Sequence, residues 1–319
     1  MKENASYKWV DLIKGVGIIL IVAGHVLSGP IRDFLYMFHV PLFFFLSGYL
    51  YKTSTTFRNV FSKKFISLIV PYTFYFILLS SSLLIIEIVK DRDIKVINNI
   101  FTKVFYGGID LTGWFSVFWF VTSLFFTLLI GSLLVKIRVV YTLIIALVFL
   151  ILAYTQAFYA PNLPFIFALN TVLYCFPIFY AGHIYSKYKM SISFKKLSGL
   201  TMLSLILYLA YPELFYTDIK ESKYGLPILT FAMSMVFVLF IFEFFKKYSD
   251  LIKLKILSHI GVASMTIMYL HQAVQITLRH QIGITNELLV ILLSISFCMM
   301  CQFIFNQNKV TRKIFLGQT

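Results

Sequence analysis

A lysine and a histidine lie eleven residues apart in the first apolar segment of the chain. On an α-helix this spacing is about three turns, so Lys14 and His25 share one face, about 16 Å apart along the axis. Asp11 lies one turn before Lys14 on nearly the same face. A lysine can bind phosphate, and a neutral imidazole can take a proton from a hydroxyl. This layout favours a donor with a phosphorylated head at Lys14 and a long thioester arm that reaches His25.

Two further histidines lie at a similar depth in other apolar segments. His39 is about 7 Å and His271 about 10 Å from the outer end of its segment, the side on which His25 also lies. Ionisable groups within a bilayer are costly and usually functional. Pro41 removes a backbone donor beside His39 and can kink its helix around a cavity. We therefore predict that the three histidines share an outer site.

The same residues also have structural interpretations. Lys14 can extend its ammonium group to the inner membrane interface while its stem stays in the apolar layer, and His25 can form hydrogen bonds at the outer interface. His39 can pair with carbonyl groups that Pro41 leaves free. Periodicity alone does not decide between these interpretations and catalysis.

Membrane helices must position these side chains. Hydrophobic residues make up 60% of the 319 positions and charged residues 13%, whereas a soluble domain is nearer half apolar and about 25% charged. A helix needs about 20 mostly apolar residues to cross a bilayer. The chain is predicted to be an all-α, polytopic membrane bundle of about ten transmembrane helices. Their expected ranges are 9–27, 34–50, 65–89, 115–135, 139–153, 165–185, 197–210, 228–245, 260–278 and 287–305.

Lysine and arginine are concentrated in every second connection, which predicts a cytoplasmic location for those connections and for both termini. The same asymmetry accounts for the net charge of +15. No basic run alternates with stacking aromatic residues, so we expect no nucleic-acid partner. Two long outer loops, 90–114 and 211–227, are candidates for function. We expect no cleavable signal peptide and no appended soluble domain, so residues 1–319 form a single membrane domain.

The cysteines give no sign of a metal or redox site. Cys175, Cys298 and Cys301 all lie in apolar segments. Buried cysteine usually behaves as a small hydrophobic residue, and a C-x-x-C metal or redox site needs a polar setting. We expect no bound metal and no resident cofactor.

Taken together, these residues resemble the acyltransferase-3 family of integral membrane proteins, and within it the polysaccharide and sugar O-acetyltransferases of the fucose 4-O-acetylase kind. The resemblance extends in order along nearly the whole chain. The residues that carry it are Asp11, Lys14 and Gly24-His25; Phe38-His39, Pro41 to Phe45 and Ser47-Gly48; Pro71-Tyr72, Trp119-Phe120 and Leu163-Pro164; and Phe179, Gly182, Gly261, Ser264 and Tyr269 to His271.

The resemblance implies transfer of an acetyl group from cytosolic acetyl-CoA to a hydroxyl of a cell-surface polysaccharide, such as capsule or exopolysaccharide, or its lipid-linked precursor. The family needs the basic residue and the histidine of the first helix for activity. Those roles fall on Lys14, which with Asp11 would bind the donor, and on His25 as general base or acetyl carrier. An outer acceptor pocket is expected from His39, Ser47, Trp119, His271, Arg32 and Arg279. The multi-pass chain is expected among the lipids of a plasma membrane, and its many Phe, Ile, Lys, Asn and Tyr residues favour a bacterial source.

A second hypothesis from a different class is an exporter or flippase for a lipid-linked glycan or another polar solute. Polar residues on several helices are expected there too. Transporters often consist of two related halves with paired broken helices. Residues 1–160 and 161–319 show no convincing match, which favours the enzyme. Binding of CoA or hydrolysis of acetyl-CoA would separate the two hypotheses.

Overall fold

The protein is a bundle of helices with one small β-hairpin. The computed structural model describes residues 8–53, 56–89, 110–161, 163, 165–252 and 255–318. Most of the predicted outer loop 90–114 and Pro164 of the family pattern lie outside these residues. The helices are α1 Lys8–Val26, α2 Gly29–Tyr49, α3 Phe57–Lys64, α4 Val70–Val89, α5 Trp119–Leu134, α6 Val139–Tyr159, α7 Leu169–Lys187, α8 Phe194–Ala210, α9 Leu229–Tyr248, α10 Lys255–Val262, α11 Ser264–Ile276, α12 Glu287–Phe305 and α13 Lys309–Leu316. The hairpin pairs β1 Thr217–Asp218 antiparallel to β2 Lys223–Tyr224.

Seven helical segments within the described residues are long and apolar enough to cross a membrane. They are Lys8–Val26, Phe57–Ile86, Gly113–Leu134, Val139–Tyr159, Ile166–Lys187, Leu229–Tyr248 and Glu287–Phe305. The other three predicted segments are also helical, as α2, α8 and α11. The all-α membrane bundle is therefore confirmed, while the number of crossings and the side of the termini stay predictions.

Three predicted boundaries are wrong. Helix α2 begins at Gly29, because Pro30 suits a first helical turn, where no backbone donor is needed. Helix α6 has 21 residues and extends to Tyr159, so it is not the short segment expected. The predicted segment 260–278 is two helices, α10 and α11, which meet at Ala263.

A π-helical turn, Phe65–Ile69, joins α3 to α4. Pro71 follows directly and has no N–H to donate to the preceding turn. The carbonyl of Leu68 accepts a hydrogen bond of 3.2 Å from the Tyr269 hydroxyl on α11. Such π turns are rare and often occur at functional sites. This one places the Leu68 side chain in the wall of two internal cavities.

Helices α2 and α7 pack backbone to backbone near the centre of the bundle. A Cβ atom at Gly48 would overlap the carbonyl oxygen of Phe179, and a Cβ atom at Gly182 would overlap that of Phe45. Gly15 and Gly261 make the same kind of contact between α1 and α10, against carbonyl oxygens of the opposite helix. Small residues of this kind allow membrane helices to approach closely. They fix α1 and α2, which carry most of the predicted site residues.

Replacing Gly182 with alanine should destabilise the fold, because the new methyl group has no space between α2 and α7. Overpacking of this kind costs about 1–3 kcal/mol. The matched control is Gly199→Ala on α8, where an added Cβ meets nothing within 4 Å. The midpoint of unfolding in SDS should fall for Gly182→Ala and stay close to wild type for Gly199→Ala. Equal midpoints for the two variants would contradict this packing.

Candidate active site

Three histidines from three helices meet at one cavity of about 300 Å³, the histidine cavity. The ring centroids of His25 and His271 are 5.3 Å apart. Tyr36 lies between His25 and His39, with its ring centroid 5.7 Å from that of His25 and 4.9 Å from that of His39. The predicted convergence of His25, His39 and His271 is therefore present in the structure.

Backbone carbonyls orient two of these rings. His39 Nδ1 lies 2.6 Å from the carbonyl oxygen of Leu35, and His271 Nδ1 lies 2.7 Å from that of Ile267. A carbonyl oxygen can only accept, so each Nδ1 carries a proton and donates it. In the neutral ring Nε2 then keeps its lone pair. Nε2 of His271 is buried and has no hydrogen-bond partner among the described residues, so it is available to accept a proton or hydrogen bond from a molecule in the cavity.

His25 has a different partner. Its Nδ1 lies 3.0 Å from the hydroxyl of Tyr36 on α2. A tyrosine hydroxyl can donate or accept, so this contact fixes the ring position and permits either neutral tautomer. When Nδ1–H donates to Tyr36, Nε2 of His25 holds the lone pair that a general base requires. Among the described residues, no three His, Cys, Asp or Glu side chains are arranged to hold a metal ion.

The remaining wall of the histidine cavity combines aromatic and charged side chains. Trp119 of α5 and Arg32 of α2 line it, as the sequence predicted. The hairpin adds Tyr216, Asp218, Lys220 and Glu221, which the sequence did not single out. The cavity therefore contains hydrogen-bond donors, acceptors and flat apolar surfaces together.

Four predicted site residues lie elsewhere. Lys14 and Asp11 form an ion pair at 3.4 Å, and Lys14 lines a second cavity of about 180 Å³, the middle cavity. Ser47 also lines the middle cavity rather than the histidine cavity. Arg279 donates to the carbonyl of Val26 at 2.7 Å, so it caps the end of α1, one residue beyond His25. Arg279 is thus a neighbour of the histidine cavity and does not form its wall.

The cavities follow one another through the protein and share walls. Ile21, Phe120 and Met268 line both the histidine cavity and the middle cavity. A third cavity of about 310 Å³ shares Ser47, Leu50, Leu68 and Leu124 with the middle cavity. Lys52, Lys63 and Lys64 also line this third cavity, which we call the lysine cavity. Helix α2 borders the histidine cavity with residues 32–40 and the lysine cavity with its C-terminal end, so the two cavities lie at opposite ends of a helix about 30 Å long.

Sequence reasoning missed several residues of these cavities. Tyr36 had a usable signal, because it lies three residues before His39 and therefore on the same helical face. Lys63 and Lys64 lie between the predicted ranges 34–50 and 65–89, whereas in the structure they end α3. For Asp218 and Lys220 the sequence indicated only a long charged loop, 211–227. These two residues line the same cavity as His25 because the loop folds into the hairpin.

The acyltransferase domain family matches residues 7–306. A curated relative, Nodulation protein NolL from Sinorhizobium fredii (strain NBRC 101917 / NGR234), is 32% identical over 87 residues, or 23% of this chain and 24% of that protein. The match thus spans about a quarter of the relative's length. No solved structure matches the chain. Because the family match covers nearly the whole chain and includes every helix of the three cavities, the protein belongs to the acyltransferase-3 family of membrane proteins.

Proposed function

We propose that this protein is an O-acetyltransferase that moves an acetyl group from cytosolic acetyl-CoA to a hydroxyl of a cell-surface polysaccharide or its lipid-linked precursor, in the plasma membrane of a bacterium. The observation that carries the proposal is the series of three cavities, which begins at lysines and ends at histidines. Acetyl-CoA has a matching layout, because its phosphates lie at one end of a long arm and its thioester at the other.

The lysine cavity receives the phosphates of the donor in this proposal. Lys52, Lys63 and Lys64 supply ammonium groups, and hydrogen bonds between charged partners are about twice as strong as neutral ones. The middle cavity is mostly apolar, with Phe43 and Leu124 in its wall, which suits the arm. Lys14 contacts the donor where its phosphates meet the arm, and Asp11 holds the Lys14 ammonium in position.

The reaction takes place in the histidine cavity. The acceptor hydroxyl gives its proton to His25 Nε2 while its oxygen forms a bond with the thioester carbonyl carbon. The carbon–sulfur bond then breaks, and the protonated imidazole returns the proton to the departing thiolate. The products are an acetyl ester and free CoA. Nε2 of His271 accepts a hydrogen bond from the acceptor and orients it, and Tyr36 keeps the His25 ring in place.

His25→Ala should abolish O-acetylation of the surface glycan, because loss of a general base typically lowers the rate by about 10²–10⁴-fold. The acetyl content is measured by NMR in cells that contain the variant at the wild-type protein level. His280→Ala is the matched control, since His280 is exposed and outside the cavities. Wild-type acetylation in the His25→Ala strain would refute the catalytic assignment. A purified wild-type protein that neither binds CoA nor hydrolyses acetyl-CoA would favour the exporter.

Lys63→Ala combined with Lys64→Ala should raise the KM for acetyl-CoA by at least about tenfold, because a hydrogen bond to a charged group contributes about 1.5–3 kcal/mol. The turnover at saturating donor should change little, since these lysines are remote from the thioester. Lys195→Ala with Lys196→Ala removes two exposed lysines that line none of the three cavities and is the control. An unchanged KM in the first pair would place the phosphates elsewhere.

The proposal requires the lysine cavity to open to the cytosol and the histidine cavity to the outside. Asn59 lines the lysine cavity, and Lys223 lies in β2 of the hairpin beside the histidine cavity. Both residues are exposed. A membrane-impermeant maleimide should label Lys223→Cys in intact cells and Asn59→Cys only in opened cells. Labelling of the unaltered protein gives the background from Cys301, a native cysteine that is half-buried. Labelling of both positions from one side would contradict a transfer across the membrane.

A further inference from the structure

Tyr216, Asp218, Lys220 and Glu221 form one side of the histidine cavity, which we call the hairpin wall. Tyr224 stacks on Tyr174 of α7, with ring centroids 4.3 Å apart and planes at 3°. Asn170 of α7 donates to the hydroxyl of Ser222 at 2.8 Å. Lys220 donates to the carbonyl of Leu111, just before α5. Three contacts on two sides thus hold this wall against the bundle, so its side chains have fixed positions relative to His25.

Two of the four charged side chains that line the histidine cavity, Arg32 and Glu221, form ion pairs with residues outside its wall. Arg32 forms an ion pair with Asp33 at 2.7 Å, and Lys223 forms one with Glu221 at 2.7 Å. Asp218 has no cationic partner within 4 Å among the described residues. One of its carboxylate oxygens accepts a hydrogen bond of 3.2 Å from the backbone N–H of Glu221. The remaining acceptor capacity of Asp218 is available to a molecule in the cavity.

The surroundings of Asp218 favour a hydrogen bond from a ligand to its carboxylate. Burial, together with the nearby Glu221 carboxylate, raises the pKa of Asp218 above its ordinary value. A carboxylate that is partly withdrawn from water is stabilised by donors that replace the lost water. Sugar hydroxyls are such donors. The aromatic ring of Tyr216 lies in the same wall, with the Arg32 guanidinium 5.8 Å and the Lys223 ammonium 5.6 Å from its centroid.

We propose that the hairpin wall is the acceptor subsite, in which Asp218 accepts hydrogen bonds from the hydroxyls of one uncharged sugar ring. This inference rests on the proposed function and adds to it the chemical class of the acceptor residue. Asp218 is a binding residue here, and His25 remains the base.

The charge and the size of the cavity select this class of acceptor. Its wall carries two cations, Arg32 and Lys220, and two anions, Asp218 and Glu221, so no surplus of positive charge remains for a uronic acid or a phosphate. A buried charge without a partner is strongly disfavoured. The volume is at the small end of the range of about 300–1,000 Å³ for small-molecule pockets. One sugar ring beside the acetyl group therefore fits better than a longer segment of polymer.

The test uses the purified full-length protein in nanodiscs, acetyl-CoA, and surface glycan from a strain that lacks this protein. CoA release is measured without glycan, which reports acceptor-independent hydrolysis, and over a range of glycan concentrations. Asp218→Asn keeps the side-chain shape and an oxygen for the Glu221 N–H, but it replaces one acceptor oxygen with an NH₂ donor. Glu213→Gln is the control, because Glu213 is an exposed carboxylate near the hairpin that does not line the cavity.

Asp218→Asn should raise the KM for glycan by at least about tenfold and leave CoA release without glycan unchanged, whereas Glu213→Gln should leave both unchanged. An active wild type with an unchanged glycan KM in Asp218→Asn overturns the subsite alone. Equal loss of both rates in Asp218→Asn also overturns it, because that result indicates a structural role. A wild type that never cleaves acetyl-CoA overturns the proposed function together with the subsite.

Competition tests the charge argument separately. Methyl glucoside should inhibit acetylation of the glycan, whereas methyl glucuronoside, which differs by one carboxylate, should inhibit it at least about tenfold less. Equal inhibition by the two compounds would overturn the preference for an uncharged acceptor.

Discussion

The contact between α2 and α7 determines where most of the site lies. At Gly48 and Gly182 each helix places a carbonyl oxygen where the other would need a Cβ atom, so the two backbones touch and neither helix can slide or rotate freely. Helix α2 contributes wall residues to all three cavities, from Arg32 near one end to Ser47 near the other. A fixed α2 therefore fixes the path between the lysines and the histidines.

The apolar surroundings impose a second constraint on the histidines. A polar group in a membrane interior needs a partner, and only the backbone can supply one without adding another polar side chain. His39 and His271 both use the carbonyl one turn earlier in their own helix. The same bond that satisfies Nδ1 directs Nε2 away from the helix backbone, so the structural requirement also prepares the ring for chemistry. His25 instead pairs with Tyr36, a side chain that permits either tautomer.

The two ends of the cavity series differ in a way that suits two different substrates. The lysine cavity is lined by three cationic side chains and by no anionic side chain of the described residues. Among the described residues, the histidine cavity has two cationic and two anionic side chains, and one of each is already in an ion pair. A polyanion gains from the first environment and an uncharged, hydroxyl-rich molecule from the second. The middle cavity, which is mainly apolar, separates these environments and borders both.

Local patterns in the sequence determined a large part of this protein. Long apolar runs gave the membrane bundle, the helical period placed Lys14 and His25 on one face of α1, and depth along the helices brought His25, His39 and His271 to one level. Each of these inferences depends only on residues close together in the chain. Boundaries at Gly29, Ala263 and Tyr159 escaped prediction, because proline placement and tertiary packing override hydropathy at helix ends.

Only the tertiary structure decided which side chains share a cavity. Ser47 belongs to the same helix as His39 but lines the middle cavity, and Arg279 caps α1 instead of facing the acceptor. Asp218 reaches the histidines because the hairpin is attached to α7 and to the segment before α5. The physical reason is that a cavity is formed by faces of helices distant in sequence, and their rotation is set by close contacts such as Gly48 with Phe179. Hydrophobic periodicity shows which face of a helix is buried, but it carries no information about the partner that covers it.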